Sequence, residues 1–156
     1  MSHMIKYNFD PKKHVIYEPV NKKKYKGNAP IILRSSWEVA FCRWCDINDN
    51  VIEWGSECIA IPYFDVATQK NRRYYPDFIL KIKDKNNNIN IYIVEIKPYK
   101  ETVPPRKTSR KKAKTILTEI KTYKRNISKW KSANAYCIRN GYHFKIITEK
   151  ELFSLT

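Results

Sequence analysis

The stretch that most restricts how this chain can fold is Ile89-Asn-Ile-Tyr-Ile-Val94, followed by Glu95-Ile96-Lys97. β-branched and aromatic residues dominate it, and six polar, turn-prone residues, Lys83-Asp-Lys-Asn-Asn-Asn88, precede it. That arrangement predicts a β-hairpin: a strand over 72–82, a loop over 83–88 and a strand over 89–97. The β texture begins at Val51, with further strands expected at 51–54 and 58–64, so the four form an antiparallel meander. A helix precedes them. Ser35 followed by Glu38 makes a capping box, and Trp37, Phe41 and Trp44 recur at helical spacing to about Cys45.

Beyond the meander, residues 98–110 contain Pro98, Pro104 and Pro105 among basic residues and read as an irregular connector. Ala113, Ile116, Leu117, Ile120 and Tyr123 then share one face of a helix. Ser128 reads as the cap of a second helix with Trp130, Ala133 and Cys137 inward, stopped by Gly141. A strand over 142–147 follows, and Thr148 with Glu151 makes a second capping box opening a short final helix. A meander followed by a helical crossover onto one more strand is a mixed α/β architecture, with a mixed sheet flanked by helices.

A chain of 156 residues suits one domain. Residues 1–30 read as a lysine-rich irregular arm with at most a short strand over Val15–Tyr17, and 31–156 as the domain. Met1-Ser-His3 reads as a cloning remnant before a native start at Met4. Cys42 and Cys45 form a C-x-x-C inside a helical pattern, while Cys58 and Cys137 stand alone. Without a second close pair, zinc ligation is disfavoured, and all four read as reduced, packed thiols. No apolar run reaches the ~20 residues that span a bilayer, and no secretory segment opens the chain, so a soluble, intracellular protein is expected.

Lysine and arginine number 31 against 15 acidic residues, a net charge of +16. An excess of that size points to a polyanionic partner. Three glycines, with no G-x-G-x-x-G and no Walker pattern, exclude the usual nucleotide-binding classes.

Chemistry concentrates at Glu38, Pro76-Asp77 and Glu95-Ile96-Lys97. Alternate strand residues share a face, so Glu95 and Lys97 point the same way and Ile96 the other. Asp77 falls on the neighbouring strand, about 5 Å away, where two carboxylates can share a hard cation. With the Ile96 carbonyl they offer oxygen ligands for Mg²⁺, which polarises a phosphate and lowers the pKa of bound water. Lys97 can then orient that water or steady charge on the phosphorane. Glu38 can hold a metal-bound water or help bind a second ion. Each residue also has a plain reading: Asp77 as a strand-entry turn residue, Glu95 and Lys97 as a surface ion pair, Glu38 as the third helical residue of its capping box. Their convergence on adjacent strands of a strongly basic chain favours a nuclease.

This pattern resembles the PD-(D/E)XK nuclease superfamily in its TnsA-like branch. Longer motifs resemble the head completion nucleases of T-even-type tailed phages. They are Arg34-Ser-Ser-Trp-Glu38, Arg43-Trp-Cys-Asp46, Glu53-Trp-Gly-Ser-Glu57, Ile61-Pro-Tyr63, Tyr75-Pro-Asp-Phe78, Val94-Glu-Ile-Lys-Pro98 and the segment from Phe144 to Leu152. The resemblance covers nearly the whole chain. It implies a restriction-endonuclease-like core, Mg²⁺-dependent cleavage of DNA (with Mn²⁺ able to substitute) and a role in finishing the packaged head. It further implies work in the host cytoplasm or at the head and neck, beside portal, terminase or neck proteins. The four site positions, Glu38, Asp77, Glu95 and Lys97, are intact.

From Lys97 to Lys131 there are 13 basic and 2 acidic residues. Arg106, Lys107, Arg110, Lys111 and Lys112 in the connector, with Arg72 and Arg73 upstream of Asp77, are expected to hold DNA phosphates without reading sequence. Lys121, Lys124 and Lys129 read as a solvated helix face. Two alternatives share these features. One is a non-catalytic basic plug holding DNA in the head or neck; the other is a transposase-subunit or homing-type endonuclease, disfavoured because no separate recognition domain fits the length.

Overall fold

A computed structural model describes residues 14–152; the proposed cloning remnant and the first part of the basic arm lie outside them. The central sheet has four strands. β3 (Val51–Ser56), β6 (Phe78–Lys83) and β7 (Ile89–Ile96) run antiparallel in the order β3-β6-β7, and β8 (His143–Ile147) joins β7 in parallel. The expected mixed α/β architecture, antiparallel strands plus a parallel crossover strand flanked by helices, is what the chain adopts. The expected four-strand meander is interrupted, however: the strand expected over 58–64 lies outside this sheet, and β3 pairs directly with β6. Asp84 makes the β6–β7 turn: its carboxylate accepts hydrogen bonds from the backbone N–H of Asn86 and of Asn88.

Strand alternation sorts the apolar residues onto two faces. Phe78, Leu80, Val94, Ile96 and Ile147 point to one face, where α1 (Ser36–Ile47) contributes Val39, Phe41, Cys42 and Cys45. Leu152 of α3 (Glu149–Leu152) closes that side. Ile79, Ile93, Phe144 and Ile146 point to the other, against Trp130, Ala133 and Cys137 of α2 (Ala113–Asn140). The sheet is therefore the middle of three layers.

Several elements differ from the sequence reading. The expected strand over 72–82 is two strands. β5 (Lys70–Tyr74) pairs with β4 (Ile61–Asp65) in a separate two-stranded sheet, and β6 starts afresh at Phe78. The break falls at Tyr75-Pro76-Asp77, because proline offers no N–H to a ladder and restricts the residue before it. The two expected helices after the connector are one helix of 28 residues. Ser128 does not cap: its hydroxyl donates to the Lys124 carbonyl at 3.0 Å, one helical turn back. The connector also holds one turn of 3₁₀ helix at Tyr99–Glu101.

The strand expected at Val15–Tyr17 (β1) is present and pairs with one that was not expected, β2 (Ile31–Leu33). This N-terminal segment is fastened to the domain. Asp46, buried in the last turn of α1, accepts from the Tyr17 hydroxyl at 2.9 Å and from the backbone N–H of Val20 and Asn21. Residues 24–26 hydrogen-bond to the free edge of β3 on both sides of Trp54. Both capping boxes form, at Ser35–Glu38 and Thr148–Glu151. Gly141 ends α2 at φ 70°, a left-handed conformation that suits glycine. Among the described residues, no helix is long and apolar enough to cross a membrane.

Candidate active site

The break after β5 sets up the site. Freed from a ladder at Pro76, the chain re-enters the sheet with Asp77 immediately ahead of β6. The register pairs Phe78 with Val94, so Asp77 falls opposite Glu95, one step beyond the last β6–β7 pair. By alternation both carboxylates share the α2 side of the sheet with Ile79 and Ile93. Asp77 is pinned from two directions: its Oδ2 accepts from the Ile96 N–H at 2.8 Å, and its carbonyl accepts from the Glu57 N–H at 3.0 Å.

Glu95 is 5% exposed. Its Oε2 accepts a 2.6 Å hydrogen bond from the buried Tyr74 hydroxyl, and its Oε1 lies 3.5 Å from Lys97 Nζ. Lys97, half-buried, continues the backbone ladder by donating its N–H to the Ile147 carbonyl. The expected same-side placement of Glu95 and Lys97 is thus present as an ion pair.

Glu38 reaches the same end of the sheet from α1. Its Oε1 accepts from the Ser35 hydroxyl at 3.0 Å and its Oε2 from the Arg34 N–H at 3.3 Å, so both oxygens serve the cap. Its charge is nonetheless felt at Asp77. Burial, then the Glu95 charge, then Glu38 push the Asp77 carboxyl well above its ordinary value; the Ile96 N–H and Lys97 oppose this. Burial likewise raises Glu38, against its cap hydrogen bonds and Arg34.

Two carboxylates face to face, one strongly inclined to hold a proton, form a charge excess that a hard cation relieves. Among the described residues, one Asp77 oxygen is free of hydrogen bonds and Glu95 Oε1 meets only Lys97. This donor set fits a divalent ion held by two carboxylates, a backbone carbonyl and water. Among the described residues, no three His, Cys, Asp or Glu side chains gather closely enough to hold a metal by themselves. An apolar cavity of about 240 Å³, lined by Phe41, Trp44, Leu80, Ile82 and Tyr92, lies toward the opposite end of the strands.

The basic residues occupy different settings. Arg73 is exposed on β5, but Arg72 is tied to Asp65, which is fully buried and also pairs with Arg125 at 2.9 Å. Arg106, Lys107, Arg110 and Lys112 are exposed, whereas Lys111 binds Glu119 at 2.9 Å and the Arg106 carbonyl. Sequence reasoning missed Tyr74, Arg34 and Glu57 as neighbours of the site. Arg34 and Glu57 form an ion pair at the cap, and Glu57 takes a left-handed φ of 50° beside Asp77. An aromatic three residues before Asp77 was the only hint of Tyr74. The cysteines occur as free thiols: Cys42, Cys45 and Cys137 are buried, but Cys58, expected to be packed, is exposed. Burial raises the thiols of Cys42 and Cys45 far above their ordinary value.

The sheet presents two carboxylates and a lysine at one end, followed in the chain by a basic connector, and comparison with known proteins gives the family. Residues 48–149 match the family model described as TnsA-like endonuclease N terminal. The chain is also 40% identical over 141 residues to the head completion nuclease of Enterobacteria phage T4, covering 88% of this chain and 91% of that protein. No solved structure matches. The chain belongs to the TnsA-like endonuclease family and is a relative of that phage nuclease.

Proposed function

We propose that this protein is a Mg²⁺-dependent DNA endonuclease of the PD-(D/E)XK type, acting at the end of DNA packaging as a phage head completion nuclease. The observation that carries the reading is the register-opposed pair Asp77 and Glu95, with Lys97 at 3.5 Å from Glu95. The name of the T4 relative supports the phage role and, with it, action in the host cell beside portal, terminase or neck proteins.

Asp77, Glu95 and the Ile96 carbonyl would hold the cation, and Mn²⁺ would be able to substitute for Mg²⁺. When bound, the ion would neutralise phosphate charge and would supply a water acidic enough to attack at neutral pH. Tyr74 fixes the Glu95 carboxylate through one oxygen, leaving the other to face the substrate. Lys97 donates to the phosphate oxygens as charge builds during in-line attack, and the phosphorus–oxygen bond to the leaving strand breaks. Glu38 holds the helix cap and adds negative charge behind Asp77. Arg73, Arg106, Lys107, Arg110 and Lys112 hold the DNA backbone, with smaller contributions from Arg72 and Lys111. These contacts are indifferent to sequence.

Supercoiled plasmid incubated with the protein in Mg²⁺ and in EDTA tests the proposal. Nicking in Mg²⁺ that disappears in EDTA and in Lys97→Ala is expected. DNA binding without any cleavage by the wild type would favour the non-catalytic plug.

A further inference from the structure

We propose that Lys129, on the face of α2 turned toward Tyr74, is a second cation of the active site and touches the phosphate that is cut. The inference rests on the nuclease reading of Asp77, Glu95 and Lys97.

Lys129 differs from every other basic residue of the helix. Lys114, Lys121, Lys124, Lys131 and Arg139 are exposed, and Arg125 is committed to Asp65. Lys129 is half-buried, and its ammonium lies 5.6 Å from the centroid of the Tyr74 ring. Among the described residues it makes no ion pair and no hydrogen bond. The Tyr74 hydroxyl is the group that holds Glu95 Oε2 at 2.6 Å. Lys129 therefore stands one aromatic ring away from the carboxylate that Lys97 approaches from the other oxygen.

The surroundings explain why the position is informative. Taking the ammonium partly out of water lowers its pKa; attraction to Glu95 and Asp65 opposes this, and repulsion from Lys97 and Arg125 adds to it. Glu95 Oε2 is held by Tyr74 and Oε1 faces Lys97, and among the described residues the Lys129 ammonium forms no ion pair with either oxygen. A half-buried cation without an adjoining anion is unfavourable for the free protein. A phosphate seated beside Glu95 and Lys97 supplies that anion, within reach of the flexible four-carbon stem. Lys97 and Lys129 then flank the reacting phosphate, one from β7 and one from α2.

The test separates charge from packing. Lys129→Met keeps an apolar stem over the Tyr74 ring, and Lys129→Arg restores a cation; Lys129→Gln replaces the Met variant if that one melts early. Two readouts are needed. The first is single-turnover plasmid cleavage in Mg²⁺. The second is the salt dependence of duplex binding in Ca²⁺. The Met variant should cleave roughly 10- to 100-fold more slowly, the range for losing one charge-stabilising donor or a little less. Its log–log salt slope should fall by about 0.9, the value for one neutralised phosphate. The Arg variant should recover the slope and part of the rate. A Met variant that cleaves like wild type with an unchanged slope overturns the proposal. If the wild type itself does not cleave, the nuclease reading fails, and the slope alone decides whether Lys129 meets phosphate.

Discussion

Replacing Asp77 by Asn should make the metal-free protein more stable while removing its activity. The Ile96 N–H can still donate to the amide oxygen, so the pin at 2.8 Å survives and only the charge is lost. Directly opposed strand residues have Cβ atoms about 5 Å apart. Two unit charges at about 5 Å repel by about 3 kcal/mol at an effective dielectric of 20. Lys97 beside Glu95 and partial solvent access reduce this, so a gain of about 1–2 kcal/mol is expected near pH 7. For a domain of this size that is a rise of roughly 2–8 °C in melting temperature. The sign depends on pH. Folding raises the Asp77 carboxyl above its unfolded value, so the folded state binds the proton more tightly. Stability from this group is complete below the unfolded pKa and lost as pH rises through the folded one. The advantage of Asp77→Asn should therefore be present at pH 7 in EDTA and vanish toward pH 4. Cleavage should fall about 100-fold or more, corresponding to about 3 kcal/mol of lost transition-state stabilisation. Thermal melting across pH with plasmid nicking checks both halves. A variant that is less stable at pH 7, or that nicks at the wild-type rate, would refute the reasoning.

Other outcomes follow from the same structure. Neutralising Arg106, Lys107, Arg110 and Lys112 together should lower the salt slope of duplex binding by about 0.9 for each phosphate they neutralise, measured by fluorescence anisotropy; adding Lys111→Ala should change it little, because Glu119 already holds that ammonium. Asp65→Ala should destabilise the fold by about 3 kcal/mol in urea melts, since it strands Arg125 and Arg72 beside a buried site. Burial opposes the Asp65 charge, but hydrogen bonds from Thr68, Arg125 and Ala67 prevail and bring the carboxyl to about 2. Its stabilisation is thus complete above the unfolded value of 3.8 and is lost as pH falls through about 2, which acid titration of wild type against Asp65→Asn can follow. Glu38→Gln should keep the cap and melt within about 1 kcal/mol of wild type, because the Gln oxygen can accept from the Arg34 N–H while its NH2 donates to the Ser35 hydroxyl oxygen.

Local patterns made much of this molecule legible. The capping boxes at Ser35 and Thr148, the 83–88 turn and the Gly141 stop are short-range features, and each forms where it was expected. Asp77, Glu95 and Lys97 were legible because two-residue alternation and hairpin pairing bring them together. Features that depend on distant partners were not. Pro76 divides one apparent strand into two because β5 finds β4 while β6 finds β3 and β7. Ser128 looks like a helix cap, but Val66, sixty-two residues earlier in the chain, donates its N–H to that hydroxyl, and the helix runs on. The strand Ile31–Leu33 exists because it pairs with β1, a segment distant in the chain, and buries Ile31 and Leu33. Lys129 carried no sequence signal at all, since its neighbours on the helix are equally basic.

Titrating Mn²⁺ into the protein by calorimetry, beside nicking of the same samples, tests the central claim most directly. The account predicts one carboxylate-dependent site, present in the wild type, retained in Lys97→Ala and lost in both Asp77→Asn and Glu95→Gln, with nicking abolished in all three variants. Equal Mn²⁺ binding by the wild type and both carboxylate variants, or undiminished nicking by a folded Glu95→Gln, would contradict it.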